Sequence, residues 1–547
     1  MFTSSGRPLC IIGNVVDAQG QESLKSILVR NGRIVEIQNG KGPFDLPDLI
    51  LLELADEEVV FPGLINLHVH SEYNVFPIWR SPAVWSNRFQ WRNNDQYIRD
   101  IKNFKEYIDA GWKQESFEFI ESVLRAPAAD NWPPLTKAER ATAMREVLKL
   151  HGIVTELQAV AGGTTLVQQT IRLEDDGKLP NFIIRDTTDP GELGIPQTQK
   201  VFSVVDFVRP APNFDVPSAP AQANADTSNW PMMHHPGLAD FLNSVQEGNS
   251  RYYACIAHIA EGRSGYLQQG NPDGFSRREF KEFRRALSQL SNARFIKTAN
   301  LTLTHACGLD YSDQDTLDFL RDNHISVVWS PVSNLILYRD TIPVKTLLDH
   351  GINVCLGSDW APSGSKHVWD EFKFARHFCD ALSLSIPDAD LLAMMTQNPA
   401  NALGSLKTGA IRPGYNADFF ILQKQSAKQP ALTALHTQDD RSVRCTIVNG
   451  RIVYGDNELF DRTLSVDYQR IPPSEGQVAT QKVVSINSNL HFDLIKALSQ
   501  VDLLMHRYTN TIVNQPWLQR TRMLSADDFV YQHYIKQLKT DFAELIR

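Results

Sequence analysis

Short apolar runs, separated by longer stretches of helical period, recur through the middle of this chain. Eight fall between residue 63 and about residue 407: GLINLHVH (63–70), TTLVQQ (164–169), FIIR (182–185), VFSVVDFV (201–208), YYACIAHI (252–259), LTLTHA (301–306), ISVVWS (325–330) and INVCLGS (352–358). Runs of this length, rich in Val, Ile and Leu, read as strands buried on both faces. Several of the intervening segments carry helix-like patterns, as in TKAERATAMREVLKLHGIVTELQAVAGG and SRREFKEFRRALSQLSN. Eight buried strands alternating with helices predict an α/β chain built on a (β/α)8 TIM barrel, lengthened by insertions.

The flanks resemble each other. RNGRIVEI near the start returns as VNGRIVYG after the last run, each with an Asn-Gly turn between strand-like phrases. The two are read as strands of one small β-sandwich domain built from both chain ends, against the alternative of two unrelated hairpins. Near the C-terminus, Phe492, Ile495, Leu498 and Val501 recur at helical spacing, and SADDFVYQHYIKQLKTDFAELIR reads as a second amphipathic helix with Ser525 as N-cap. The expected organisation is residues 1–62 and 408–470 as the two parts of the β-sandwich, 63–407 as the barrel, and 471–547 as a helical extension.

Composition adds exclusions. The 547 residues are 42% hydrophobic and 21% charged, with a net charge of −9, so the chain lacks the basic balance of a nucleic-acid or anionic-membrane binder. No apolar run approaches the length of a membrane span, and the start carries no signal-peptide pattern. Six cysteines lie scattered without a CxxC pair, as buried reduced thiols would. Cytoplasmic location follows as an expectation.

In a TIM barrel the reacting groups sit where strands end. His68 and His70, two apart, point the same way from the end of the first strand. His258 ends the fifth and Glu261 follows it; His305 ends the sixth; Asp359 follows the eighth. Each has an ordinary reading alone, as a packed histidine, a solvated carboxylate or a helix cap. Together they place four imidazoles and two carboxylates on one predicted rim, and three imidazoles with a carboxylate are a good ligand set for a divalent ion with room for water. His234, His235, His324 and His367 lack strand-end placement and are read as non-ligands.

GLINLHVH, HIAE, THACGL, SPVSNLIL, LGSDW, TQNPANALG and GAIRPGYNAD (409–418), in this order, resemble the amidohydrolase superfamily over roughly residues 8–460. The resemblance is strongest to the branch of cytosine and guanine deaminases, chlorotriazine hydrolases and S-adenosylhomocysteine deaminases. It implies His68, His70, His258 and Asp359 as metal ligands, Glu261 as proton shuttle, and His305 as the group that orients water or polarises substrate, with Asp359 also accepting a hydrogen bond from the water. Many members bridge two metals with a carboxylated lysine on the fourth strand; here Lys200 only precedes that run, which favours one ion, Zn2+ or alternatively Fe2+.

Two departures add bulk at the predicted rim. Trp329 and Ser330 stand where the family often has His-Cys, and Trp360 replaces the usual Gly. The stretch 71–100 follows the metal histidines with three tryptophans and four arginines. It suits a flat or anionic small-molecule substrate, or alternatively a packed lid or an oligomer contact. Trp79, Arg80, Trp329, Ser333, Asn334 and Trp360 are the candidate substrate contacts. The expected activity is hydrolysis of a non-peptide C–N bond, most simply deamination of an amino-heterocycle or amidine. An amidase or dehalogenase using the same residues, or a non-catalytic binding module, are the competing readings. A homo-oligomer is the expected assembly.

Overall fold

The computed structural model describes residues 7–42, 44–74, 79, 81–102, 138, 152–168, 183–187, 190–194, 200–204, 206–234, 236, 252–267, 272–288, 300–405, 407–462, 468–471, 481–485 and 494. Of the two C-terminal helices expected from the sequence, only Leu494, helical and buried, is among these residues.

Each of the eight apolar runs overlaps a parallel strand. Val354–Leu356, Ser326–Trp329, Asn300–His305, Tyr252–Ile259 and Lys200–Val204 form one sheet in that order, and Leu64–Asn66, Thr164–Val167 and Arg185–Asp186 form another. A parallel bridge between Val69 and Asp359 joins the extension of the first strand to that of the last. Several strands are shorter than their runs because apolar side chains continue past the last paired residue: Leu67 and Val69 are buried beyond Asn66. Two runs are corrected. FIIR contributes only Arg185, which pairs with Leu166, and VFSVVDFV pairs only as far as Val204. Its tail opens a second strand, Val208–Pro210, antiparallel to Met232–His234.

Alternation along the first strand sets the direction of the histidines. Ile65 and Leu67 join Leu166, Ile256, Val328 and Cys355 in one apolar cluster. Asn66 therefore turns to the opposite face, where its amide donates to Ser358 Oγ at 2.7 Å, and His68 and His70 follow it at period two.

Ten strands, five from each side of the parallel region, make a single further sheet. Glu58–Pro62 pairs antiparallel with Phe419–Gln423, the seam where the two chain ends meet. Both Asn-Gly turns have positive φ at both central residues (Asn31 49° and Gly32 74°; Asn449 52° and Gly450 72°), the conformation that suits a tight hairpin between twisted strands. Arg185, on the third parallel strand, bonds Asn449 Oδ1 at 2.8 Å and forms a buried ion pair with Asp418, tying the two regions together. Among the described residues, no helix is long and apolar enough to cross a membrane.

Candidate active site

Three turns in the backbone bring the strand ends into one place. Ala260, His305 and Asp359 all have left-handed φ (56°, 62° and 59°). None is glycine, so each costs on the order of 1 kcal/mol or more, and such conformations persist where surrounding contacts enforce them. The Asp359 turn is held on both sides: its N–H donates to His68 O at 2.9 Å and its carbonyl accepts from His70 N at 3.0 Å.

The donor atoms of His68, His258, His305 and Asp359 all lie within 4.8 Å of one another, and the four residues are buried. His68 Nε2 is 3.0 Å from His305 Nε2 and 2.9 Å from Asp359 Oδ1. His70 stands just outside this group, its Nε2 at 3.7 Å from Asp359 Oδ1 and its side chain 25% exposed. The tightest cluster thus holds His305 where the sequence resemblance put His70.

The neighbours assign the tautomers. Gln168 gives its amide N–H to Ser203, so its Oε1 faces His68 Nδ1 at 3.4 Å. Asn334 donates to Thr341 Oγ1 at 3.1 Å, leaving its Oδ1 to accept from His305 Nδ1 at 2.9 Å. With protons on both Nδ1 atoms, the two Nε2 lone pairs face one another and a carboxylate. A bound cation would satisfy that arrangement, and outer partners of this kind are how metal-binding histidines are oriented. Electrostatics agree. Burial pushes His68 below the ordinary imidazole value, partly offset by Asp359, and pushes His258 well below it, helped by the neighbouring imidazoles. Burial opposes the charge on Asp359, yet the facing histidines outweigh it and hold this carboxyl below its ordinary range. Neutral imidazoles around an ionised carboxylate are the protonation states a divalent metal requires.

These shifts predict a pH dependence. Depressed histidines bind fewer protons folded than unfolded, so stability is present above the unfolded value of about 6.5 and is lost as pH falls below it. The urea midpoint of the metal-free protein should therefore drop from pH 7 to pH 5; a flat midpoint would contradict the buried neutral histidines.

Glu261 Oε2 sits 3.9 Å from His305 Nε2, and its Oε1 accepts from Tyr338. A cavity of about 660 Å³ opens in front, walled by His70, His258, Glu261 and Asp359 on the inner side and by Trp91 and Trp360 on an aromatic side. These two indoles stack at 5.1 Å and 10°. Beyond them lie Arg88, Arg92 and Asp206. Arg88 bonds Asp206 through Nε at 2.9 Å and Glu279 through both terminal nitrogens at 3.0 and 2.6 Å.

Of the six candidate substrate contacts, Trp360 is on the cavity wall and Arg80 lies outside the described residues. The other four are corrected, because their polar atoms or faces are engaged inside the protein and none lines the cavity. Trp79 packs edge-on to Tyr97. Trp329 donates to Thr341 Oγ1 and packs on Phe378. Ser333 donates to Asp359 Oδ2 at 2.5 Å, and Asn334 holds His305. Lys200 does begin its strand but pairs with Tyr252, six residues and about 20 Å of strand before His258. The sequence reading missed Tyr338, Arg88, Trp91 and Asp206 as site residues; Arg88 and Trp91 lie in the aromatic stretch it flagged, while Tyr338 and Asp206 carried no signal beyond an apolar run.

Residues 270–453 match the Amidohydrolase family. A 5'-deoxyadenosine deaminase of Methanosarcina mazei is 31% identical over 487 residues, covering 85% of this chain and 94% of that protein. The chain belongs to the amidohydrolase family. A second relative, the 5-methylthioadenosine/S-adenosylhomocysteine deaminase of Thermococcus onnurineus, is 31% identical over 462 residues, covering 82% of this chain and 94% of the relative. Among solved structures, a zinc-bound adenosine deaminase from Xanthomonas campestris superposes with TM-score 0.52 at 15% identity, covering 92% and 99% of the two chains. That likeness speaks to fold, and with the family it implies a TIM-barrel fold for the parallel strands. As an amidohydrolase, the chain is a metal-dependent hydrolase of C–N bonds other than peptide bonds, and its histidine–aspartate cluster fits a divalent ion.

Proposed function

We propose that this amidohydrolase deaminates an adenosine-type nucleoside modified at its 5' position, converting the ring amino group to a carbonyl and releasing ammonia. The observation that carries the reading is the placement of Glu261 between the convergent donor cluster and a flat indole wall. The near-full-length kinship to deaminases of such nucleosides supports it. His68, His70, His258 and Asp359, with His305 beside them, would hold one ion, Zn2+ or Fe2+. When bound, the ion makes water a nucleophile near neutral pH. Glu261 then accepts the water's proton and delivers it to the departing amino nitrogen. Asp359, kept ionised, accepts a hydrogen bond from the water, and His305 stabilises charge developing at the attacked carbon's substituents. The stacked indoles receive the purine face, and Arg88, Arg92 and Asp206 face its ribose end.

In the same reading the parallel strands close into the barrel, and the ten-stranded sheet is the small domain built from residues 1–62 and 408–470, to which Lys482–Val484 adds one more strand. Past the strand Lys482–Val484, which corrects the expected boundary at 471, the remaining residues are the helical extension of a cytoplasmic homo-oligomer.

Turnover should be screened by product analysis over 5'-deoxyadenosine, 5-methylthioadenosine and S-adenosylhomocysteine (ammonia), cyclic amides (ring-opened acid) and chlorotriazines (chloride). Turnover of the nucleosides alone is expected. Chelator treatment should abolish it, and about one equivalent of Zn2+ or Fe2+ per chain should restore it. Turnover of an amide or a chlorotriazine instead would replace the deaminase reading with an amidase or dehalogenase.

A further inference from the structure

Behind Glu261 lies a hydrogen-bonded pair that the reaction described above does not use. Trp91 Nε1 donates to the Tyr338 hydroxyl at 2.8 Å, and that hydroxyl donates to Glu261 Oε1 at 2.6 Å. All three side chains are buried, Tyr338 completely. We propose that Trp91 and Tyr338 are positioning residues that fix which oxygen of Glu261 handles the proton. The inference rests on the reading of Glu261 as shuttle.

The reasoning is one of donor counting. An indole N–H can only donate, so Tyr338 must present a lone pair to Trp91. The hydroxyl has a single proton, and the carboxylate oxygen within its reach, Glu261 Oε1, can only accept, so that proton is directed there. This oxygen is therefore engaged before substrate arrives. Oε2, toward His305 and the cavity, is the atom left to take a proton from water and give it to the leaving nitrogen. When Oε2 is protonated, Oε1 becomes the carbonyl oxygen of a carboxylic acid and still accepts from Tyr338, so the same bond persists through the cycle. Tyr338 does not supply the proton itself: burial and the adjacent Glu261 carboxylate raise its hydroxyl far above the ordinary phenol value. Trp91 also stacks on Trp360 at the cavity wall, so the indole that meets the substrate also sets the hydroxyl behind the shuttle.

Tyr338→Phe keeps the ring and removes the bond, leaving Glu261 free to rotate. With the nucleoside that wild type turns over best, kcat should fall about 10- to 100-fold, the scale of a displaced catalytic group, with metal content unchanged and KM within about twofold. Trp91→Phe should lower kcat less. The double variant should match Tyr338→Phe alone in kcat, because Trp91 acts on Glu261 only through Tyr338. Unchanged kcat in Tyr338→Phe, or multiplicative kcat losses in the double variant, would overturn the proposal. Glu261→Gln separates the two readings. If that variant keeps turnover, the shuttle assignment fails; if it is inactive while Tyr338→Phe matches wild type, only the positioning role fails.

Discussion

Glu261→Gln is expected to lower kcat by about 10²- to 10⁴-fold, the usual contribution of a positioned general acid–base group, while metal content stays at the wild-type level. The amide is nearly isosteric with the carboxylate, and its oxygen can still accept from Tyr338, so the buried contacts of the site survive the change. What it cannot do is bind and release the water's proton at neutral pH. Turnover with the nucleoside and metal analysis of the purified variant are the two readouts. Near-normal turnover would remove Glu261 from the chemistry, and loss of metal would make it part of the ion's support instead.

The second large effect is on stability. Arg88 is buried and stands between two carboxylates, Asp206 and the wholly buried Glu279. Burial opposes charge on both acids. At Asp206, Arg92 and Arg88 together prevail and hold the carboxyl at about 2, whereas at Glu279 burial prevails and the carboxyl is raised despite the bidentate contact. Arg88→Met should therefore cost about 3–5 kcal/mol in urea unfolding, chiefly because it strands buried negative charge. Adding Glu279→Gln should recover part of that loss; a double variant no better than the single one would show that packing, and not charge, is responsible. Activity should suffer as well, since Glu279 also accepts the N–H of Ala260, one residue before Glu261.

The strand ends were readable because the chemistry there is periodic: apolar residues at alternate positions of one strand fix the direction of His68 and His70, and the other groups lie within three residues of the ends of their own strands. The supporting layer was not readable. Arg88 meets Glu279 across 191 residues, and Tyr338 meets Glu261 across 77, with nothing in either local pattern to announce the partner. Ser333 and Asn334 looked like rim groups but turn inward to Asp359 and His305, because the helix Pro331–Tyr338 is buried along its whole length. Trp329 was misplaced for a related reason. Its strand is apolar on both faces, so alternation could not say which side faced the cavity.

The seam between Glu58–Pro62 and Phe419–Gln423 bears on how the chain is born. Val60 lies opposite Ile421, so at about 5–20 residues per second the first five strands wait roughly 20 to 70 s on the ribosome for the partner that completes their sheet. Until then Glu58–Pro62 is a bare edge, the kind of surface that other chains join. Premature termination anywhere before residue 419 would leave it bare for good, and such fragments should be the aggregation-prone products of this protein's synthesis.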